Sequence, residues 1–254
     1  MTAVNGLVLL DELLVDAWRP EVVEIHDTWC FRWASGVSRR ANSAFAVGSG
    51  NGEVAELVEA AEAFYADRDS PPLFQVSSAS APPSLAGYLS ARGYRPSART
   101  FVTKAVTKDV LQVTAAGPWV VQATTEATDS WLSTYWAVNS SRFATDHARR
   151  VCRLLLNPQL PKVFLAIGDG DGTVAVGQIV IAAGWAAVQC MATETAHRRR
   201  GAAGSVLHHL AAEAAARGAG NLCLSVMADN EDARRLYDKV GFEVVHEYSF
   251  FGRD

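Results

Sequence analysis

A chain of 254 residues with 49% hydrophobic side chains is long enough for one large or two ordinary domains with a real core, which excludes disorder over most of its length. Its net charge of −4 argues against a general nucleic-acid binder, whose affinity would come from clustered positive charge. No apolar run approaches the roughly 20 residues that span a bilayer. The opening stretch has no basic-then-apolar leader pattern, and the four cysteines form neither a Cys-x-x-Cys pair nor a zinc spacing. The expectation is a cytoplasmic protein with reduced thiols, no metal, and no nucleic-acid or membrane partner.

Apolar residues Leu7, Leu10, Leu13, Leu14 and Ala17 recur at helical spacing, and Pro20 marks the stop. Strands are expected around Val22 to Trp33 and Ala44 to Val47. A helix follows over Glu53 to Tyr65, with Val54, Leu57, Val58, Ala61 and Phe64 on one face. Pro71-Pro72 breaks the chain before a short strand at Leu73 to Val76, a helix at Leu85 to Ala91 ended by Gly93, and a strand at Thr100 to Val106. Val113 to Pro118 is a run of small residues ending in Gly-Pro, and it sets the expected boundary between domains 1–114 and 115–254.

The second half opens with a strand at Trp119 to Ala123 and two helices, Thr128 to Val138 and His147 to Leu156, stopped by Pro158 and Pro161. Strands at Val163 to Ile167 and Val174 to Ala182 flank the turn Asp169-Gly170-Asp171-Gly172, and Gly184 introduces a third at Trp185 to Thr193. The helix Ala202 to Arg217 turns Val206, Leu207, Leu210, Ala211, Ala214 and Ala215 inward, with Gly218 just past its end. A buried strand at Leu222 to Val226, a helix reaching Lys239, and closing strands at Phe242 to His246 and Tyr248 to Phe251 complete the order. It describes an α/β fold, a mixed sheet with helices on both faces.

The halves also resemble each other. Leu89 to Tyr94 matches Tyr237 to Phe242, with Gly93 and Gly241 standing 148 positions apart. The same offset lays the strand Phe74 to Val76 on Leu222 to Leu224 and the helix Val54 to Phe64 on Ala202 to Ala212. Three elements in one register indicate a tandem pseudo-repeat. The copies differ where chemistry would sit: Glu53 falls opposite Gly201, so the first copy puts a carboxylate where an anion would dock.

The chemical focus is Arg198-Arg199-Arg200-Gly201-Ala202-Ala203-Gly204, which joins a strand to a helix. The first N–H groups of a helix have no partner within it, and the dipole adds partial positive charge there. Small residues let a phosphate approach those groups, and three arginines add formal charge. A pyrophosphate is the ligand these features suit.

At these residues the sequence resembles the GNAT superfamily of acyl-CoA-dependent N-acetyltransferases. The family loop Arg/Gln-x-x-Gly-x-Gly/Ala is met by Arg198, Gly201 and Ala203. A second signature is met by Asn230, Ala233, Leu236, Tyr237, Gly241 and Phe242. The resemblance covers about Trp119 to Phe251, with a degenerate GNAT-like copy before it. It implies the GNAT fold and acetyl-CoA as co-substrate, held by Met191, Ala192 and Thr193 along the pantetheine arm. Arg198, Arg199, Arg200, Gly201, Ala202, Ala203, Gly204 and Ser205 would hold the pyrophosphate, Asn230 would bond the pantetheine, and Tyr237 would protonate the departing thiolate.

The partner it implies is an amine acceptor, served by a monomer or homodimer. The glutamate that many relatives carry on the preceding strand is missing at Trp185-Ala186-Ala187-Val188. Glu194 is the nearest carboxylate, Asp146 and His147 are further candidates, and a water relay is the alternative. Two functions stand: an N-acetyltransferase acting on a primary amine through a tetrahedral intermediate, or a non-catalytic acyl-CoA-binding or sensing module. Taken alone, Glu194 reads better as a surface residue, and Trp131, Tyr135 and Trp136 as core as readily as pocket wall.

Overall fold

The computed structural model describes residues 3–48 and 51–253. The Leu7 side chain, named above, lies outside what is described. In chain order the elements are α1 (Ala3–Asp16), β1 (Val22–His26), β2 (Trp29–Trp33), β3 (Ala44–Phe45), α2 (Val54–Ala66), β4 (Phe74–Ser77), α3 (Leu85–Ala91) and β5 (Arg95–Val106). There follow α4 (Thr107–Val113), β6 (Val120–Thr124), α5 (Asp129–Val138), α6 (Asp146–Leu155), β7 (Lys162–Gly168), β8 (Thr173–Ala182) and β9 (Trp185–Thr193). Last come α7 (Ala202–Ala216), β10 (Asn221–Met227), α8 (Glu231–Lys239) and β11 (Glu243–Gly252).

The chain forms two compact units. The first comprises Met1–Val102, Val226–Asn230 and Val244–Asp254, and the second Thr103–Ser225 and Glu231–Glu243. In the first, strands run in the order β1-β2-β3-β4-β11, followed by the opening part of β5. The β3–β4 pairing is parallel and that of β4 with β11 antiparallel. Its core gathers Trp29, Phe31, Val58, Phe74, Leu85 and Tyr94, all fully buried or nearly so. In the second unit the order is β10-β9-β8-β7-β6, with β9 and β10 parallel and the others antiparallel. The inward face of α7, Val206, Leu207, Leu210, Ala211 and Ala214, is buried and packs on β7, β8 and β9, while Ala215, expected on the same face, is exposed. Both units are mixed α/β, as the alternation of periods implies.

Three expectations change. Val22 to Trp33 is a hairpin of two strands, because Asp27 takes a positive φ of 53° and turns the chain. The closing segment is one strand, β11, in place of two. The helix α4 went unread because it is a single short element of mostly β-branched and polar residues, and it forms in its tertiary setting. Thr107 ties it down, its N–H donating to the Gly220 carbonyl at 3.0 Å and its hydroxyl to that of Ala219 at 2.8 Å. The compact units part at Val102/Thr103, and the chain's last strand is counted with the first unit.

Candidate active site

The site in the second unit begins with a break in strand pairing. Val176 pairs with Ala192 and Gln178 with Gln189, so Gly177 alone faces the two residues Cys190 and Met191. This is a β-bulge, and Cys190 takes a φ of 56° to make it. A Cβ on Gly177 would stand 2.8 Å from Leu210 Cδ1, Met191 Sδ and Val206 Cγ1, so only glycine fits. From α5, Trp131 Nε1 donates to the Gly177 carbonyl at 3.1 Å, and the buried Tyr135 hydroxyl bonds the Cys190 side chain. That α5 is placed to do this follows from its cap: the Thr128 hydroxyl accepts from the Trp131 N–H at 3.2 Å. Beside the bulge, Gln189 donates to Gln178 at 2.8 Å, and Gln178 donates to the Leu156 carbonyl at 3.0 Å.

On its other edge β9 pairs with β10 only through Trp185, Ala186 and Ala187, opposite Asn221, Leu222 and Cys223. Beyond those residues the strands part, and the edge of Val188 to Thr193 that faced β10 is left open. An open parallel-strand edge accepts an extended amide-bearing ligand in place of a neighbouring strand.

The open edge leads to the glycine-containing turn. A 3-10 turn, Thr195–His197, is pinned by His197, whose Nε2 lies 3.1 Å from Asp169 and whose Nδ1 lies 3.6 Å from Glu194. Arg199 and Gly201 then adopt positive φ values of 63° and 82°. Gly201 is the N-cap of α7 and no side chain caps that end. The first donor to bond back into the helix is Ser205, 2.9 Å from the Gly201 carbonyl. The N–H groups of Ala202, Ala203 and Gly204 precede it and are the orphan donors of a helix start. Cβ atoms built on Gly201 and Gly204 meet nothing within 4 Å, so there is open space where an anion would lie. The residues present therefore fit a pyrophosphate.

Ser205 departs from expectation: its N–H is spent on Gly201 and its hydroxyl on the Ala116 carbonyl, so it has no donor to give a ligand. The exposed side chains of the arginine cluster are engaged in part, Arg198 with the Thr193 carbonyl at 3.3 Å and Arg199 with Asp232 at 3.8 Å.

Tyr237, on α8, is 7% exposed and packs against Phe242 at 5.6 Å. None of the hydrogen bonds among the described residues uses its hydroxyl, and burial pushes the phenol up to about 12. Glu194 sits at the loop end of β9, its N–H on the Val174 carbonyl and its carboxylate turned to His197. Asp146 is 88% exposed at the start of α6, and His147 is exposed beside it. Asn230 is grouped with the first unit, so the site built here does not include it. The loop between a strand and a helix and the position of Tyr237 on a helix were legible in the sequence. Sequence reading missed the bulge, for which the signal available was an isolated glycine, Gly177, inside a strand pattern.

The first unit differs in the length of its connection from strand to helix. Its parallel pair ends at Phe45 and α2 begins at Val54, whereas in the second unit pairing ends at Ala187 and α7 begins at Ala202. The connection from the end of parallel pairing to the helix, 46–53 against 188–201, is thus the shorter one in the first unit, and Glu53 is the N-cap of α2.

A mixed sheet with a bulged strand that parts from its parallel neighbour, followed by an uncapped glycine turn into a helix, defines a protein of the GNAT acyl-CoA N-acyltransferase class. The chain belongs to the family described as "Probable histone acetyltransferase Rv0428c C-terminal", whose model matches residues 10–251. It is 23% identical over 242 residues to an uncharacterized N-acetyltransferase, YobR, of Bacillus subtilis, covering 95% of this chain and 96% of that one. Among solved structures it is similar to a GCN5-related N-acetyltransferase from Kribbella flavida, with a TM-score of 0.67 at 18% identity, covering 97% of this chain and 94% of the other. A tandem GNAT protein from the clavulanic acid biosynthesis pathway is similar with a TM-score of 0.61 at 14% identity, over 78% and 68% of the two chains. The chain is accordingly an acyltransferase of the N-acetyltransferase type. Among the described residues no helix is long and apolar enough to cross a membrane.

Proposed function

We propose that the chain transfers the acetyl group of acetyl-CoA directly to a primary amine of a small-molecule, peptide or protein acceptor, through a tetrahedral intermediate. The observation that carries this reading is the open edge of β9 running into the uncapped start of α7: an amide-bearing arm can lie along one while its pyrophosphate docks at the other. Backbone groups of Met191, Ala192 and Thr193 pair with the arm. The N–H groups of Arg199 to Gly204 hold the pyrophosphate, and Arg198, Arg199 and Arg200 add charge. With the pyrophosphate fixed at the turn, the arm runs back along β9 and brings the thioester to the bulge at Cys190. Residues 115–254 act as the catalytic half and residues 1–114 as a degenerate copy.

Tyr237 faces the departing thiolate in this reading. A phenol near 12 cannot hand its proton outright to a thiolate of ordinary pKa about 8.5 without an uphill step of about 5 kcal/mol. Its contribution is a hydrogen bond that strengthens as charge develops on sulfur. Glu194 stands at the loop end of β9 with its carboxylate 3.6 Å from His197 Nδ1, and in this reading the amine's proton leaves through water. The test is thiol release from acetyl-CoA with a panel of amines. Tyr237→Phe is expected to lower kcat about 10- to 100-fold with CoA affinity retained, and Glu194→Gln to change kcat less than about 3-fold. Unchanged turnover in Tyr237→Phe removes that residue from the chemistry. Tight CoA binding with no thiol release on any amine replaces catalysis by acyl-CoA sensing.

A further inference from the structure

The turn into α7 is strained backbone that something must hold. Arg199 takes a φ of 63°, a left-handed conformation that is unfavourable for a residue with a side chain, and Gly201 takes one of 82°. Such a conformation persists where its surroundings over-determine it. On the helix side the Ser205 N–H closes on the Gly201 carbonyl at 2.9 Å. On the strand side the Arg198 N–H reaches the Thr195 carbonyl and its Nε the Thr193 carbonyl, each at 3.3 Å and longer than usual. The stronger fastening on that side comes from the residue before, His197.

The Glu194 N–H donates to the Val174 carbonyl at 2.9 Å, which continues the β8–β9 pairing past Thr193 and keeps the β7–β8 turn within reach of His197. In that turn Asp169 Oδ1 accepts from the Asp171 N–H at 3.1 Å, and its Oδ2 lies 3.1 Å from His197 Nε2. The Asp171 N–H, and the imidazole after it, hold the Asp169 carboxyl below the usual carboxylate range. An ionised carboxylate only accepts, so Nε2 is the nitrogen that carries the proton. Nδ1, 3.6 Å from Glu194, is beyond hydrogen-bond reach. The His197 side chain is 18% exposed against 84% for Arg199, and Trp119 stands edge-on to its ring at 6.5 Å. The Asp169 bond is thus sheltered, where such a bond counts for more than in open water.

We propose that His197 is a positioning residue for the co-substrate. Through Asp169 it fastens the strand-to-helix connection to the β7–β8 turn. It thereby holds Arg199 and Gly201 in the conformations that leave the N–H groups of Ala202, Ala203 and Gly204 free for a pyrophosphate. This rests on reading that turn as the pyrophosphate site, and it adds the residue that shapes it. The consequence is a split between the two ends of the co-substrate. Loss of the clamp loosens the turn and weakens the hold on the pyrophosphate, whereas the open edge of β9 and the bulge at Cys190, made by strand pairing, stay as they are.

The experiment measures dissociation constants of CoA and of pantetheine, which lacks the pyrophosphate, by calorimetry on the whole chain. KM and kcat for acetyl-CoA and S-acetylpantetheine are added with any amine of the panel that releases thiol. His197→Ala is expected to raise the CoA dissociation constant and the acetyl-CoA KM about 10-fold, with kcat and the pantetheine values within about 3-fold of wild type. His197→Gln, whose amide N–H falls near the Nε2 position, is expected to restore part of the loss. Asp169→Ala breaks the same bond from the more exposed side and keeps the test open if His197→Ala does not fold. It is expected to match His197→Ala, and the double variant to be no weaker than either alone. An unchanged CoA constant, equal losses for CoA and pantetheine, or losses that add in the double variant each overturns the proposal. Wild-type protein that binds pantetheine as tightly as CoA moves the pyrophosphate off the turn and overturns the clamp with it. Thiol release from none of the amines overturns the acetyl-transfer reading alone, and the two dissociation constants still decide the clamp.

Discussion

At Gly177 one hydrogen atom in place of a methyl group lets two layers meet. Three side-chain atoms from Met191, Val206 and Leu210 would all stand 2.8 Å from an added Cβ. Gly177→Ala is therefore overpacked, at a cost of about 1–3 kcal/mol, and is expected to lower Tm by about 2–10 °C. The same methyl pushes on Met191, so CoA affinity should weaken with it; a melt and a titration of one variant check both. Another residue-scale lock fastens α1 within the first unit. Asp11, 2% exposed, accepts from the Ser77 and Ser80 hydroxyls at 2.7 and 3.1 Å and meets His246 Nε2 at 2.7 Å. Asp11→Ala strands all three buried partners and is expected to destabilise by about 3–5 kcal/mol, seen as a shifted denaturant midpoint. Neither lock was readable beforehand, because Gly177 meets Val206 and Leu210, and Asp11 meets Ser77 and His246, only through the fold.

At the scale of the element, α7 was legible from its first residue to within one of its last, because the apolar face, the glycines around its start and Gly218 past its end are local signals. What it offers a ligand is legible too, since orphan N–H groups belong to any helix start. Gly204→Leu separates the two roles of this end. Leucine suits a helix interior better than glycine, and no atom lies within 4 Å of the Cβ position, so Tm should hold or rise. The side chain then fills the space above Ala202 and Ala203, and the CoA dissociation constant should rise about 10-fold or more by calorimetry. Undiminished affinity would move the pyrophosphate away from this turn. The helix α4 shows the opposite case: its sequence carries no strong helical signal, and the carbonyls of Ala219 and Gly220 supply what local propensity does not.

Across the whole molecule, buried phenols set the response to alkaline pH. Tyr65, Tyr94, Tyr135 and Tyr237 are all raised above the ordinary tyrosine value, each chiefly by burial, and Tyr237 reaches about 12. A folded-state pKa above the unfolded one gives stability that is complete below about pH 10 and is lost as pH rises through the folded value. Tm is therefore expected to fall above about pH 10, Tyr237 alone contributing on the order of 3 kcal/mol by pH 12; a flat profile to pH 12 would mean that these rings gain access to water. The duplication is likewise a property of the whole chain. The offset of 148 positions lays α2 on α7, β4 within β10 and α3 within α8. By itself the sequence determined the α/β class, the strand-turn-helix with its arginines and the placing of Tyr237, because periodicity, glycine and helix spacing act over a few residues. Only the tertiary structure decided that β9 bulges at Cys190 and parts from β10 after Ala187, and that Ser205 spends its donors within the protein. Each of those depends on which distant residue fills or leaves open the neighbouring space.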